Sequence, residues 1–540
     1  MTSLTTGQAI VESLLLHGID TVFGIPGAHT YDLFDALHAK GDRIRFITTR
    51  HEQAAGYLAY GYAKSTGKPG VFSVVPGPGV LNAGAALCTA LGACTPMLCL
   101  TADIPSTFIG RGRGILHELP DQIATLASIT KSASRIDHPS QASAAVAEAF
   151  QCVRSGRPGP VALAAPWDVL GQRAPVTLNA PLPLVEAPLV DADAIERAAA
   201  LIRDARNPMI SIGAGAVHAG EEILQLAQLL QAPVTAHRSG RGVVSEELPY
   251  GMSCANALGL WMQTDLVIGI GSRLELQHLR WKKMPPGIKF VRIDIDPLEM
   301  VRLPPDVGVV ADARVATQAL LEALRKQIGQ RPSREHEFTE IKVQTRKQFE
   351  QVQPQVAYLD VLRQVLPRDG FLVEEISQVG FTARFAYPVY TPRTYVTCGY
   401  QETLGFGFNT ALGVKVANPN RAVVSISGDG GFLFGVQELA TAAQYRISVV
   451  VCVFNNNAYG NVRRDQLTRY HGHLIGAELT NPDFVKLAES FGIDAYRVHS
   501  PDEFRTALEK ALALDEPAVI EIVVERGTEA SPWPFLHPYQ

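Results

Sequence analysis

Cysteine is sparse in this sequence and badly spaced for metal or disulfide chemistry. The 540 residues carry seven, Cys88, Cys94, Cys99, Cys152, Cys254, Cys398 and Cys452, and no CxxC pair occurs among them. That pattern argues against a zinc site or a disulfide framework and fits a reducing cytoplasm. Charge is also modest: Asp, Glu, Lys and Arg make up 19% of the chain and the net charge is −5, so nothing points to nucleic acid. No apolar run reaches the roughly 18 residues needed to span a bilayer. The opening "MTSLTTGQAIVESLLLHGID" reads as a polar cap followed by an amphipathic helix and lacks the basic start of a signal peptide. Low-complexity segments and short tandem repeats are missing as well. What is present is an ordinary globular composition, 46% hydrophobic, in a chain long enough for about three domains.

Short β-branched runs alternate with helical periodicity throughout, the mark of parallel α/β sheets. The first third offers "RIRFITT", "GVFSVV", "PMLCLTA" and "PVALAAP" as strands. A proline-rich stretch at 171–190 reads as a linker. The middle third resumes with "PMISIGAG", "LVIGIG" and "IKFVRIDID", with "DADAIERAAALIRDA" as a helix between strands. A second, charged linker is expected near 328–350. The last third carries "AVVSISGDG", "ISVVVCVFNN" and "AVIEIVV". The fold expected is therefore three doubly wound parallel-sheet domains, over 1–172, 190–328 and 350–526, with a tail at 527–540.

One stretch carries chemistry. "RAVVSIS" is a continuous apolar strand, and Gly428-Asp429-Gly430-Gly431 stands at its C-terminal end, where open α/β sheets place ligands. The glycines let backbone N–H groups approach an anion, and "VQELATAAQY" reads as the following helix, whose N-terminus favours phosphate. "ISVVVCVF" is the next strand, so Asn455-Asn456-Asn457 falls on the same rim as Asp429. One carboxylate, one amide oxygen and backbone carbonyls are what a protein uses to hold Mg²⁺ on a diphosphate.

This arrangement resembles the thiamine diphosphate binding motif, which opens with GDG and closes with NN. The resemblance implies Asp429, Asn456 and the carbonyl of Ala458 as Mg²⁺ ligands, and Gly428, Gly430, Gly431, Tyr459 and Gly460 along the diphosphate. It also implies a carboxylic acid against the cofactor's pyrimidine nitrogen. Glu52, at the start of a helix backed by Ala54, Ala55 and Gly56, fits that role. "FGIPGAH", "HEQAAGYLAYGYA", "PGPGVLN", "ETLGFGFNTALG", "GDGG" and "FNNNAYG" follow the order and spacing of the acetohydroxyacid synthase and pyruvate oxidase branch of these enzymes. By that likeness 1–172 binds the pyrimidine, 190–328 is a central nucleotide-fold-like domain, and 350–526 binds the diphosphate. Leu404 matches the apolar wedge that bends the cofactor, Ser377, Gln378 and Glu402 lie along it, and Pro26 and Asn82 sit beside the pyrimidine. Glu52 and Asp429 must meet one small cofactor, which the family achieves across two subunits, so a homodimer or homotetramer with shared sites is implied.

Synthases of this branch bind FAD in the central domain through a segment resembling "ARFDDR". The matching Ser272-Arg273-Leu274-Glu275-Leu276 has lost both aspartates, so FAD is not expected. The residues that decide the reaction come from two segments. His29 in "GIPGAHTYDLF", like "PWDVL" at Pro166 to Leu170, resembles benzaldehyde lyase. "GRGRGILHELPDQ" resembles 2-oxoarginine decarboxylases and brings His117 and Glu118. A histidine near neutrality shuttles protons for carbonyl chemistry; the alternative for either is packing at a domain interface. The function implied is decarboxylation of a 2-oxo acid with ligation of the acyl anion equivalent, the alternatives being an acyloin or diketone lyase and a simple 2-oxo acid decarboxylase.

Overall fold

A computed structural model describes residues 2–538 of the chain; Met1 and the last two positions of the expected tail, 539 and 540, lie outside the described residues. Three six-stranded sheets, every pairing within them parallel, form the scaffold. The first runs in the order Arg45–Thr48, Thr21–Gly24, Gly70–Val74, Met97–Asp103, Pro160–Pro166, Ser132–Arg135. The second runs Gly251–Met252, Val234–Ala236, Pro208–Ile212, Leu266–Ile270, Lys289–Asp294, Val307–Val310. The third runs Tyr395–Thr397, Phe371–Glu374, Val423–Gly428, Val450–Asn455, Ala518–Val523, Asp494–Val498. Central strands such as Met97–Asp103 and Val450–Asn455 are buried along their whole length, as helices on both faces require. The expected architecture of three parallel α/β units is the one found.

Three local expectations are corrected. Thr2–Thr5 is a strand, paired antiparallel with Arg173–Val176, so the stretch read as a linker opens with a strand that ties the N-terminus to the first unit. The charged segment near 328–350 contains a helix, Glu335–Phe349. Its only buried residues are Phe338, Thr345 and Phe349, spaced to fall on one side, and the charges occupy the rest. "VQELATAAQY" is not the helix that meets the GDG turn: a short turn of helix, Asp429–Phe432, starts directly at the strand end, and the longer helix Leu439–Tyr445 follows a 3₁₀ turn.

The first and third units lock together through two helices, Glu52–Thr66 and Gly407–Ala417. A side-chain carbon on Gly61 would collide with the Thr410 carbonyl, and one on Gly413 with the Leu58 carbonyl, so the backbones cross in direct contact. The buried Glu438 adds to this contact by accepting from the Arg50 N–H at 2.9 Å and the His51 N–H at 3.0 Å. The start of the Glu52 helix is thereby fixed to the third unit.

Candidate active site

On the third sheet, the adjacent strands Val423–Gly428 and Val450–Asn455 end side by side and set Asp429 beside the asparagine run. Asp429 is buried and accepts from the Gly430 N–H at 2.8 Å, the Asn481 side chain at 2.7 Å and the Ala458 N–H at 3.3 Å. Burial pushes its carboxyl above the usual carboxylate range, against those hydrogen bonds. The three asparagines are not equivalent. Asn455 donates to Glu521 at 2.7 Å and accepts from Asn481 at 3.0 Å and from the Asn457 N–H at 3.1 Å, so its amide is committed. Asn457 takes a left-handed turn at φ 53°. Asn456 donates through Nδ2 to Glu529 and keeps Oδ1 buried with no partner.

The same rim holds further unpartnered polar atoms. Gln378 is buried with neither amide atom bonded, and Asn481 Oδ1 is also free. Ser377 caps the helix Gln378–Ala386 by accepting from the Gly380 N–H, which turns the N-terminus of that helix onto the rim; Gly428 approaches Ser377 so closely that an added Cβ would lie 3.3 Å from its Cβ. Tyr459 closes the other side, where its ring leaves no room for a side chain on Gly430, and Gly460 begins the next helix against Asn456. Buried polar atoms without partners are costly unless a ligand meets them, so the donor set suits a diphosphate with a divalent cation. Among the described residues no three His, Cys, Asp or Glu side chains cluster to hold a metal. A site of one carboxylate, one amide and carbonyls would not form such a cluster.

Leu404 sits half-buried in the turn before Gly407–Ala417. Gly405 next to it has φ 77° and donates its N–H to Glu375 at 2.5 Å. Glu375 is fully buried beneath both this turn and Gly431, and burial pushes its carboxyl up to about 7. Glu402 lies two residues before Leu404, and its carboxylate is bound by Arg238 at 2.8 Å and Arg384 at 2.7 Å. Although burial opposes it, the two guanidinium groups hold its carboxyl down to about 2.

A second constellation forms beyond the C-terminal ends of the first sheet's strands. His51 caps the helix Glu52–Thr66, which places Glu52 in the first turn, where the helix dipole favours a carboxylate. Glu52 accepts from the Asn82 side chain at 3.0 Å. Asn82 belongs to Pro78–Gly92, and the preceding Gly77 has φ 62°. Gly77 lies so close to the His117 backbone that a side-chain carbon on it would stand 2.5 Å from the His117 carbonyl oxygen. That contact sets the His117 backbone against the turn that opens the Asn82 helix. His29 and His117 meet edge to face with ring centroids 5.2 Å apart, and Trp167 packs on His29 at 5.1 Å. Asp168 holds the intervening loop by accepting from the Ser106 hydroxyl at 2.6 Å. His29 Nε2 lies 3.0 Å from the Leu116 carbonyl, which can only accept, so Nε2 carries the proton and Nδ1 is a bare acceptor, buried and unpartnered. Burial lowers the pKa of both histidines below 6.5, the Leu116 bond opposing this at His29 and the neighbouring His29 adding to it at His117. Both have left-handed backbones, at φ 74° and 67°, uncommon for such side chains. Glu118 turns back on its own loop, accepting from the Ile115 N–H at 2.9 Å, which holds its carboxyl below the usual range. Pro26 is exposed in the segment between the strand Thr21–Gly24 and His29.

Sequence reasoning missed Asn481, which bridges Asp429 and Asn455, and Glu529, which holds Asn456. Both lie in irregular segments, where no periodicity marks a residue as facing the rim.

Comparison with known proteins agrees with this geometry. Residues 4–125 match the thiamine pyrophosphate enzyme N-terminal TPP binding domain, 195–321 the central domain and 375–522 the C-terminal TPP binding domain. The chain is 34% identical over 530 residues to a probable 2-ketoarginine decarboxylase of Pseudomonas aeruginosa, covering 96% of this chain and 94% of that protein. It is 33% identical over 548 residues to a probable acetolactate synthase large subunit of Methanocaldococcus jannaschii, covering 96% and 91%. To the acetolactate synthase large subunit of Haemophilus influenzae it is 31% identical over 558 residues, covering 98% and 96%. With all three domain models matched in chain order and full-length relatives of both kinds, the chain belongs to the thiamine pyrophosphate enzyme family and is a thiamine pyrophosphate-dependent enzyme.

Proposed function

We propose that this enzyme, with thiamine diphosphate and Mg²⁺, decarboxylates a 2-oxo acid and joins the remaining acyl fragment to a second carbonyl compound. The observation that carries the reading is the set of buried, unpartnered polar atoms on Asn456, Gln378 and Asn481 around Asp429. In this reading Asp429, Asn456 Oδ1 and the Ala458 carbonyl hold Mg²⁺. Ser377, Gln378, Gly428, Gly430 and Gly431 receive the diphosphate, Tyr459 and Gly460 bound it, and Leu404 supports the cofactor's bend. Thiamine diphosphate, when bound, supplies the carbon centre and electron sink that permit a 2-oxo acid to lose CO₂. Glu52, oriented by Asn82, gives and takes a proton at the pyrimidine, with Pro26 alongside. His29 Nδ1 accepts the proton of a substrate hydroxyl, and His117 serves the same space. Glu118 shapes the loop that carries His117. Glu402 acts through its backbone position, its carboxylate being held by arginines.

Residues 1–172 then form the pyrimidine half-site and 350–526 the diphosphate half-site, and each active site is completed by a second chain. The rim of the first half-site supports this: Tyr31, Leu81, Leu116 and Trp167 are 58%, 55%, 61% and 44% exposed around His29 and Asn82 in the single chain. Such an apolar rim suits burial against another subunit. We assign no FAD to the 190–328 unit. A cavity of about 660 Å³ is lined in part by Ser272, Arg273, Glu275 and Leu276, and Glu275, the one acid of that segment, is held by Arg238 at 2.9 Å and Arg280 at 2.8 Å. Among the described residues no helix is long and apolar enough to cross a membrane. We place the enzyme in the cytoplasm on its cysteine usage, all seven thiols being free.

A second reading is supported by the likeness to the probable 2-ketoarginine decarboxylase. There the acyl fragment takes a proton and leaves as an aldehyde, the step a paired His29 and His117 could serve. Screening single 2-oxo acids for CO₂ release, with and without an aldehyde acceptor, tests both. Aldehyde as sole product from every acid favours the second reading, and cleavage of acyloins without CO₂ from any acid overturns both.

A further inference from the structure

The segment after the last strand lies beyond the matched C-terminal domain model and has no role in the reading above. It is nonetheless firmly docked. The Ala530 N–H donates to the Gln353 carbonyl at 2.9 Å, and Gln355 donates to the Ala530 carbonyl at 2.8 Å. Trp533 donates its indole N–H to Asn461 at 2.8 Å and packs on Phe381, ring centroids 4.8 Å apart. Arg464 donates to the Glu529 carbonyl at 3.2 Å. Between these anchors the Glu529 carboxylate reaches the Asn456 side chain.

An amide can face a ligand with either its oxygen or its nitrogen. The carboxylate of Glu529 can meet only the Asn456 N–H₂, which leaves Oδ1 as the free end. Gly460 keeps the contact tight: an added Cβ would stand 2.9 Å from Asn456 Nδ2 and 3.4 Å from Glu529 Oε2. Arg526 fixes the backbone of the pair by donating to the Asn456 carbonyl at 3.3 Å.

We infer that Glu529 is a positioning residue for the divalent cation: it holds the Asn456 amide with its oxygen turned to the cofactor rim, so that docking of the C-terminal segment completes the metal site. The inference rests on the proposed metal role of Asp429 and Asn456. It also makes that role depend on a residue about 70 positions downstream, which the bond between them spans. Outer partners of this kind orient a ligand that is otherwise free to rotate, and their removal typically costs about 10- to 100-fold in metal affinity.

The test compares two variants of similar size in the full-length protein with saturating thiamine diphosphate. Glu529→Leu fills the space without an acceptor, and Glu529→Gln keeps an oxygen for the Asn456 N–H₂. Mn²⁺ binding, read by the loss of free-ion signal in electron paramagnetic resonance, reports affinity without turnover. The expected result is about 10- to 100-fold weaker binding in Glu529→Leu and recovery to within about threefold in Glu529→Gln. Unchanged affinity in Glu529→Leu, or an equal loss in both variants, overturns the inference. If Glu529→Leu does not fold, Glu529→Ala replaces it under the same criteria. Asp429→Ala is measured alongside: loss of Mn²⁺ there with wild-type affinity in Glu529→Leu refutes this inference alone, whereas wild-type affinity in Asp429→Ala refutes the metal site itself.

Discussion

Replacing His29 separates ligation from decarboxylation. The Leu116 carbonyl fixes the Nε2–H tautomer, so the ring offers a buried, preformed acceptor at Nδ1. A positioned proton acceptor contributes about 10²- to 10⁴-fold in rate, which corresponds to about 3–5 kcal/mol in the barrier. Loss of the Leu116 hydrogen bond costs the fold only about 1 kcal/mol, so the catalytic effect exceeds the structural one. His29→Phe keeps a ring between His117 and Trp167, while His29→Ala removes it. Both should suppress acyloin formation from pyruvate and an aldehyde by about 10²-fold or more, leaving CO₂ release largely intact. Because burial lowers the pKa of His29, the fall of the wild-type ligation rate with decreasing pH should set in below the pH expected of an ordinary histidine. Product analysis by chromatography with parallel CO₂ measurement provides the readout. Unchanged product ratios and rates in both variants would return His29 to a packing role.

Under the second reading, in which the acyl fragment leaves as an aldehyde, His117→Ala should lower aldehyde release by about 10²-fold and divert product toward ligation, by the same measurements. Glu52→Gln preserves the bond from Asn82 but removes the ionisable oxygen, so exchange of the cofactor's C2 proton, followed by NMR, should slow well over tenfold while cofactor affinity falls much less. Calorimetry with thiamine diphosphate and Mg²⁺ should find binding abolished in Asp429→Ala and weakened in Asn456→Ala, since one loses a charge and the other a neutral oxygen. Glu375 gives a pH signature in the cofactor-free protein. Its carboxyl rises from an ordinary 4.5 to about 7, so the folded state holds the extra proton between those values. Stability from this group is present below pH 4.5 and lost as pH rises to 7, by about 3 kcal/mol, and Glu375→Gln should remove that fall in urea unfolding curves.

The rim of the third sheet was legible because glycine and asparagine there interrupt two fully buried apolar strands, which fixes where each strand ends. Glu52 was legible for a similar reason, standing between a strand and a helix lined with small residues. Strands such as Thr21–Gly24 and Phe371–Glu374 escaped because glycine, proline or acidic residues bound them closely on both sides, so their four residues lack the longer run that "RIRFITT" gives to Arg45–Thr48. The helix Glu335–Phe349 was hidden by its charges, its three buried residues being too sparse to stand out. Loop residues fared worst. Asn481 and Glu529 reach the rim through tertiary packing that no local pattern encodes. The edge-to-face contact of His29 with His117 depends on the close approach of Gly77 to the His117 backbone, which their separate motifs do not reveal.

The central claim is tested most directly by following CO₂ and carbon–carbon bond formation together. The purified protein is stripped of cofactor and metal, then given pyruvate and an aldehyde with thiamine diphosphate, Mg²⁺, both or neither. The account predicts CO₂ release only when both are present, with one ligated product formed for each CO₂, and no release from Asp429→Ala. CO₂ release without the cofactor, or no CO₂ from any 2-oxo acid in the fully reconstituted protein, would contradict it.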